Sequence, residues 1–466
     1  MKFTGGYTIQ IQGRPADQVD VLSEPDRLHL PLRSPRFQFT QCCVEDGQTV
    51  MPGDVLARDP GNYSVPLLAP RAGTVSLGAL EGHVTIEDVT KVGERARHPS
   101  EDLPHAPPDL GSTGMKRYKL LELGAWQFLH DAHTGALPDP FSAPAAVIVS
   151  TLNLEPFLAR GDVQMGKRLS NFTRGLENIQ SLLEYQSIHL VVPQVQSEFA
   201  EKLREVLRGY AFVQLVETPL TYPHDHFAVL ARALGLPRDP EKPVWALRTG
   251  GVLAIDRALT LSLPSSVRIV SVGGPAAESP RYVKAMPGYP LADLLGSALL
   301  DEGIRVVNGG VFTGTTVEPT LSGLDVECEG LTLVPEHTER EFLSFLRPGS
   351  DRQSYSRSFL STLAKPFAER LDTALKGERR ACVACIYCEE VCPVGIMPHL
   401  IHKYLYQDAL EEAERAGIAR CVACGLCTYV CPSKIELCEQ FAEAQERIRE
   451  ELHAPPEPTE EEEVGA

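Results

Sequence analysis

Residues 382–393 read Cys-Val-Ala-Cys-Ile-Tyr-Cys-Glu-Glu-Val-Cys-Pro, and residues 421–432 read Cys-Val-Ala-Cys-Gly-Leu-Cys-Thr-Tyr-Val-Cys-Pro. Both have the form C-x2-C-x2-C-x3-C-P. In that pattern three thiolates on a tight loop hold one iron-sulfur cluster and the fourth Cys ligates the other. Read so, one 4Fe-4S cluster takes Cys382, Cys385, Cys388 and Cys431, and a second takes Cys421, Cys424, Cys427 and Cys392. The proline after each fourth Cys ends the loop with a residue that has no backbone donor. Zinc fits less well, because its sites use two separated pairs rather than four Cys followed by proline. Disulfides fit least: the chain opens Met-Lys-Phe-Thr-Gly-Gly with no apolar signal run, which predicts a reducing compartment.

Between the two runs, Met397, Leu400, Ile401, Tyr404 and Leu405 recur at helical spacing, predicting one helix over 397–417 stopped by Gly417. After the second run, Ser433 and Glu436 have capping-box spacing, and Cys438, Phe441, Gln445, Ile448 and Leu452 form an apolar stripe. Helices therefore bracket both motifs. Cys438 reads as a small core hydrophobe, since eight ligands are already supplied.

The remaining chain is long enough, at 466 residues and 43% hydrophobic, for about three domains. A net charge of −18 with scattered basic residues excludes a nucleic-acid footprint. No run approaches the ~18 apolar residues of a membrane span. Cys42 and Cys43 read as strand residues, without basic neighbours to activate them.

Residues 1–110 read as short strands and turns. Val44, Val50, Val55, Leu56 and Val75 are punctuated by Gly47, Gly53 and Gly73 in the manner of hairpins. This stretch resembles the barrel-sandwich hybrid of biotinyl and lipoyl carriers, but residues 58–64 offer no lysine to modify. A Pro-rich linker is predicted over 99–108. Residues 111–264 alternate helices (116–128, 168–184, 197–208) with strands (145–150, 188–192, 212–216), which predicts a doubly wound α/β sheet of Rossmann type. No G-x-G-x-x-G or P-loop occurs, and residues 309–314 (Gly-Gly-Val-Phe-Thr-Gly) read as a structural turn. Residues 265–345 resemble the soluble-ligand-binding β-grasp module. A helix is predicted over 356–376, within a helical dicluster domain at 346–454. An acidic tail, 455–466, has nothing to bury and is predicted to be disordered.

The order of these modules, with Gly274 and Pro275, Asn308 to Gly310, residues 357–360 (Arg-Ser-Phe-Leu) and residues 427–434 (Cys-Thr-Tyr-Val-Cys-Pro-Ser-Lys), resembles NqrA of the sodium-translocating NADH:quinone reductase. The two full cysteine motifs instead resemble RnfC of the related Rnf complex. The Gly-Gly-x-Gly-Phe-Pro-Thr loop with which RnfC holds flavin and nicotinamide is missing here. The resemblance implies a subunit of a membrane-associated oxidoreductase, peripheral on the cytoplasmic face of the cell membrane. Its partners would be membrane-embedded and flavin-bearing subunits and a donor on the NADH or ferredoxin side. Its cofactors would be two 4Fe-4S clusters with no tightly bound flavin, and no side chain would be catalytic. The alternative is a self-contained soluble reductase, flavin- or corrinoid-linked, built from the same modules.

Overall fold

A computed structural model describes residues 2–89, 110–183, 185–195, 197–296, 303–337, 371–373 and 379–453. The linker over 99–108, the 357–360 motif and the acidic tail lie outside the described residues. Of the helix predicted over 356–376 only 371–373 are described, and they are not helical. There the N–H of Thr373 bonds the carbonyl of Pro335 at 3.1 Å and its hydroxyl bonds Glu336 at 2.9 Å. The chain forms two compact units.

The first unit, described over 8–337 and 371–373, is a mixed α/β and α+β assembly of four sheets. Two small antiparallel sheets come from its first part. One contains Leu28–Pro31, His83–Glu87, Gly73–Ser76 and Thr49–Val50, the other Gln41–Cys42, Val55–Asp59 and Val65–Leu68. Alternation drives them: Leu28 and Leu30 point inward to full burial while His29 and Pro31 stay partly exposed. Gly47 and Gly53 take positive φ at the turns between strands, where a side chain would be strained.

A five-stranded sheet follows, in the order Val213–Thr218, Ile188–Pro193, Ala146–Ser150, Val244–Arg248, His130–Asp131. The first four pair in parallel and the last antiparallel. Every residue of Ala146–Ser150 is buried, as expected of a strand covered on both faces. Helices Leu169–Gln180 and Thr249–Leu261 pack on one another. Gly175 makes that contact possible, since a Cβ there would lie 2.6 Å from the Val252 carbonyl oxygen. One expectation is corrected and one strand is new. The helix predicted over 116–128 is Gly111–Glu122, and the chain turns at Gly124 (φ +67°) before a single 3-10 turn at Trp126–Phe128. The strand Val244–Arg248 has no counterpart in the sequence reading.

A six-stranded sheet, ordered Val19–Val21, Arg281–Ala285, Arg268–Gly273, Gly330–Pro335, Ile304–Asn308, Thr315–Thr316, closes the first unit. The short strand Val19–Val21 sits at its edge, parallel to Arg281–Ala285.

One buried ionic group fixes the helix pair. Asp256, 3% exposed, accepts from Arg174 Nε at 2.6 Å and Nη2 at 2.8 Å, and from Asn171 and Thr260. Burial alone would raise its pKa, but these donors hold it below the ordinary carboxylate value. A depressed folded-state pKa contributes stability above the unfolded value, about 3.9, that is lost as pH falls through the folded one. Asp256→Ala is expected to cost about 2 kcal/mol. Thermal unfolding at neutral pH should show that deficit, and the gap from wild type should narrow on acidification below about pH 4.

The second unit, described over Phe3–Tyr7 and 379–453, is helical: Tyr387–Glu390, Pro398–Tyr406, Leu410–Arg415, Leu426–Tyr429 and Leu437–His453. The single helix predicted over 397–417 is two, broken at Asp408, which adopts φ +52°, a conformation Asp tolerates better than most residues. Gly417 (φ +90°) ends the second of them. The capping box is absent: the Ser433 hydroxyl donates to the carbonyl of Ala381, and Glu436 pairs with Arg379. The long helix buries Leu437, Phe441, Ala444 and Ile448 along one face.

Candidate metal centre

The second unit is built twice. Ala384, Ile386 and Gly395 of the first half take positive φ, and so do Ala423, Gly425 and Lys434 at the same offsets in the second. Each pattern places a short helix after the loop, Tyr387–Glu390 and Leu426–Tyr429, and a longer helix after the Cys-Pro pair. Alternating left- and right-handed residues turn successive N–H groups toward one centre, the backbone device that binds anions such as cluster sulfides and thiolates. Four of these six positions carry a side chain despite its cost in the left-handed region, and at Ile386 it is β-branched.

The cysteines fall into two neighbourhoods. The Cys388 thiol feels the fields of Cys385, Cys431 and Cys382. Cys424 feels Cys421, Cys392 and Cys438, and Cys427 feels Cys424, Cys421 and Cys438 before Cys388. The Cys431 thiol thus acts on Cys388 of the first motif, and the Cys392 thiol on Cys421 and Cys424 of the second. Burial pushes the Cys388 and Cys421 thiols up to about 11 and Cys424 up to about 12, and raises Cys427 well above its ordinary value. Backbone N–H groups of His399, Ala423 and Leu426 bond the sulfurs of Cys388, Cys421 and Cys424 and favour the thiolates. A bare thiolate is disfavoured in such surroundings, so ligation must bring its own positive charge and expel the protons. Among the described residues no three Cys, His, Asp or Glu side chains are gathered as one metal ion would need.

Two features went unread in the sequence. Cys438, expected in the core, is half-buried, its thiol accepts the N–H of Gly425, and its own N–H donates to the Thr428 hydroxyl at 2.9 Å. Phe3–Tyr7 forms a strap on the first Cys-Pro pair. The Gly6 N–H bonds the Val391 carbonyl at 2.8 Å, the Thr4 hydroxyl bonds the Pro393 carbonyl at 3.0 Å, and the Tyr7 and Tyr429 rings lie 6.0 Å apart. At Gly5 (φ +60°) a Cβ would fall 2.4 Å from the Cys392 carbonyl oxygen, so no other residue fits without moving the strap. The pair Gly5-Gly6 was the one available signal, and it does not name its partner. Among the described residues no helix is long and apolar enough to cross a membrane.

Comparison with known proteins agrees with this division. Residues 114–260 match the NqrA second alpha/beta domain, 269–318 the NQRA C-terminal domain, and 381–435 a 4Fe-4S dicluster domain. NqrA of the Na(+)-translocating NADH-quinone reductase from Pseudomonas aeruginosa PAO1 is 28% identical over 425 residues, covering 90% of this chain and 92% of that protein. The corresponding protein of Neisseria meningitidis is 25% identical over 421 residues, covering 90% and 92%, and that of Shewanella denitrificans 25% over 379, covering 80% and 82%. Among solved structures, an NAD+-reducing [NiFe]-hydrogenase in the air-oxidized state aligns over 74% of this chain and 68% of that one, at 13% identity and a TM-score of 0.40, a likeness too slight to carry an argument. The chain thus joins NqrA-family domains to a C-terminal 4Fe-4S dicluster domain.

Proposed function

We propose that this chain is the iron-sulfur electron-transfer subunit of a membrane-associated Nqr- or Rnf-like oxidoreductase. It would relay single electrons between a soluble donor on the NADH or ferredoxin side and flavin- or quinone-bearing membrane subunits. The observation that carries this reading is the doubled loop, whose buried and half-buried cysteines receive backbone N–H groups at the sulfurs of Cys388, Cys421 and Cys424. In our reading Cys382, Cys385, Cys388 and Cys431 hold one 4Fe-4S cluster, and Cys421, Cys424, Cys427 and Cys392 the other. The clusters supply one-electron chemistry. The chain's part is to exclude water from the thiols, to donate N–H groups to their sulfurs, and to keep the two sites adjacent by exchanging one ligand between motifs.

The rest of the chain would serve as scaffold and docking body: a barrel-sandwich part over 1–110, a doubly wound part over 111–264 and a β-grasp part over 265–345. Peripheral attachment on the cytoplasmic face, through the partner subunits, follows from the same reading.

Anaerobically purified chain should contain about eight irons and eight acid-labile sulfides. Zinc in place of iron, without sulfide, would overturn the assignment. In membranes it should co-purify with multi-span subunits, whereas a free form carrying stoichiometric flavin would mark a self-contained reductase. The strap adds a finer test. Gly5→Val should displace it from Cys392 and speed loss of the second cluster's signal in air, leaving the first cluster's decay unchanged, as followed by electron paramagnetic resonance.

A further inference from the structure

The strand Ala146–Ser150 lies between Ile188–Pro193 on one side and Val244–Arg248 on the other. In open α/β sheets such a reversal of strand order opens a crevice at the carboxyl ends, where ligands bind. Here the chain fills that place itself. Glu155, on the segment leaving Ala146–Ser150, extends to the loop over 309–314. Its Oε1 accepts the N–H groups of Phe312 and Thr313, each at 2.9 Å, and its Oε2 accepts the Thr313 hydroxyl at 2.6 Å. Arg248, at the end of the neighbouring strand, donates to Asp225 and to the Leu152 carbonyl, and its charge also acts on Glu155.

The loop is braced by contacts of its own besides those to Glu155. The Gly309 N–H bonds the Gly330 carbonyl at 2.7 Å, the Thr332 hydroxyl bonds the Gly309 carbonyl at 2.7 Å, and the Gly314 N–H bonds the Gly310 carbonyl at 3.0 Å. The Phe312 ring stacks on Tyr222 at 5.1 Å and 21°. A Cβ at Gly310 would lie 2.3 Å from the Glu155 carboxyl carbon, so the glycine leaves open the volume that the anion occupies. Two N–H groups and a hydroxyl, braced and aimed at one carboxylate on which the Arg248 charge also acts, make a backbone nest for an oxyanion.

We propose that residues 309–314 are an oxyanion cradle suited to a phosphate group, and that Glu155 is its built-in occupant, closing the crevice to phosphate-bearing ligands. Glu155 is half-buried and Thr313 exposed, and burial raises the Glu155 carboxyl even though the three donors of the loop favour its charged form. The competing reading is a plain tether between two segments. A tether predicts lost stability on removal of Glu155 and no gain of ligand.

Calorimetric titration of the full chain with inorganic phosphate and with AMP separates the two. The folded Glu155→Ala variant is expected to bind at least ~tenfold tighter than wild type, equivalent to about 1.4 kcal/mol, and phosphate should raise its melting temperature. Adding Thr313→Val should cancel the gain, which a change in stability alone would not do. AMP binding tenfold tighter than phosphate would assign a nucleotide as the excluded ligand, and equal binding would assign phosphate itself. Should Glu155→Ala not fold, Glu155→Gln, which keeps the shape without the charge, carries the comparison with a smaller gain. A folded variant that binds neither ligand overturns the cradle, and wild type binding as tightly as the variant overturns Glu155 as its occupant.

Discussion

Replacing Cys392 with alanine is expected to strip the cluster held by Cys421, Cys424 and Cys427 and to leave the one held by Cys382, Cys385 and Cys388, lowering iron from about eight to about four per chain. Although Cys392 closes the first motif, its thiol acts electrostatically on Cys421 and Cys424, while that of Cys431 acts on Cys388. The loss should be large because the site is buried: a cubane missing one thiolate cannot recruit water readily where Cys424 is 8% exposed. Cys438 is the one further thiol in that neighbourhood, so Cys392→Ala should be made with and without Cys438→Ala. Iron analysis and electron paramagnetic resonance would decide the pairing. Loss of the first cluster's signal instead would reverse the ligand exchange.

NADH is expected to leave the clusters of the isolated chain oxidised, while dithionite bleaches them fully. A hydride delivers two electrons together and needs a flavin or a comparable acceptor to divide them before a one-electron carrier can respond. The chain has no G-x-G-x-x-G after a strand, and its glycine-rich loop at 309–314 already holds the Glu155 carboxylate. Adding flavin-bearing partner subunits should restore reduction by NADH. Stopped-flow bleaching by NADH alone, in partner-free protein, would sink the relay and favour the self-contained reductase.

What could be read from residues and what could not divides along physical lines. The 4Fe-4S dicluster domain was legible because the spacing of its cysteines is itself the chemistry. The parallel strands Ala146–Ser150 and Ile188–Pro193 were legible because burial on both faces leaves mostly apolar runs, interrupted in the second only by the half-buried His189. Val244–Arg248 escaped because it ends on a charged residue whose use is tertiary, the Arg248 contact with Asp225. Ser433 and Glu436 had the spacing of a cap, but each found a partner from residues 379–381 that local reasoning does not weigh. The break at Asp408 required a left-handed residue that was not glycine. Glu155 and the strap are contacts between distant segments, and no local pattern of residue types announces them.

The strap also sets an order of events. Thr4 and its acceptor Pro393 are separated by 389 residues, so at a translation rate of about 5–20 residues per second residues 3–7 wait about 20 to 80 s for their partner to be made. Closing so long a loop adds little further cost once the intervening sheets have formed, because the entropy of closure grows only slowly with length. Residues 3–7 are therefore already waiting when residues 391–393 are made, and can cover them before Cys421, Cys424 and Cys427 have been added to the chain.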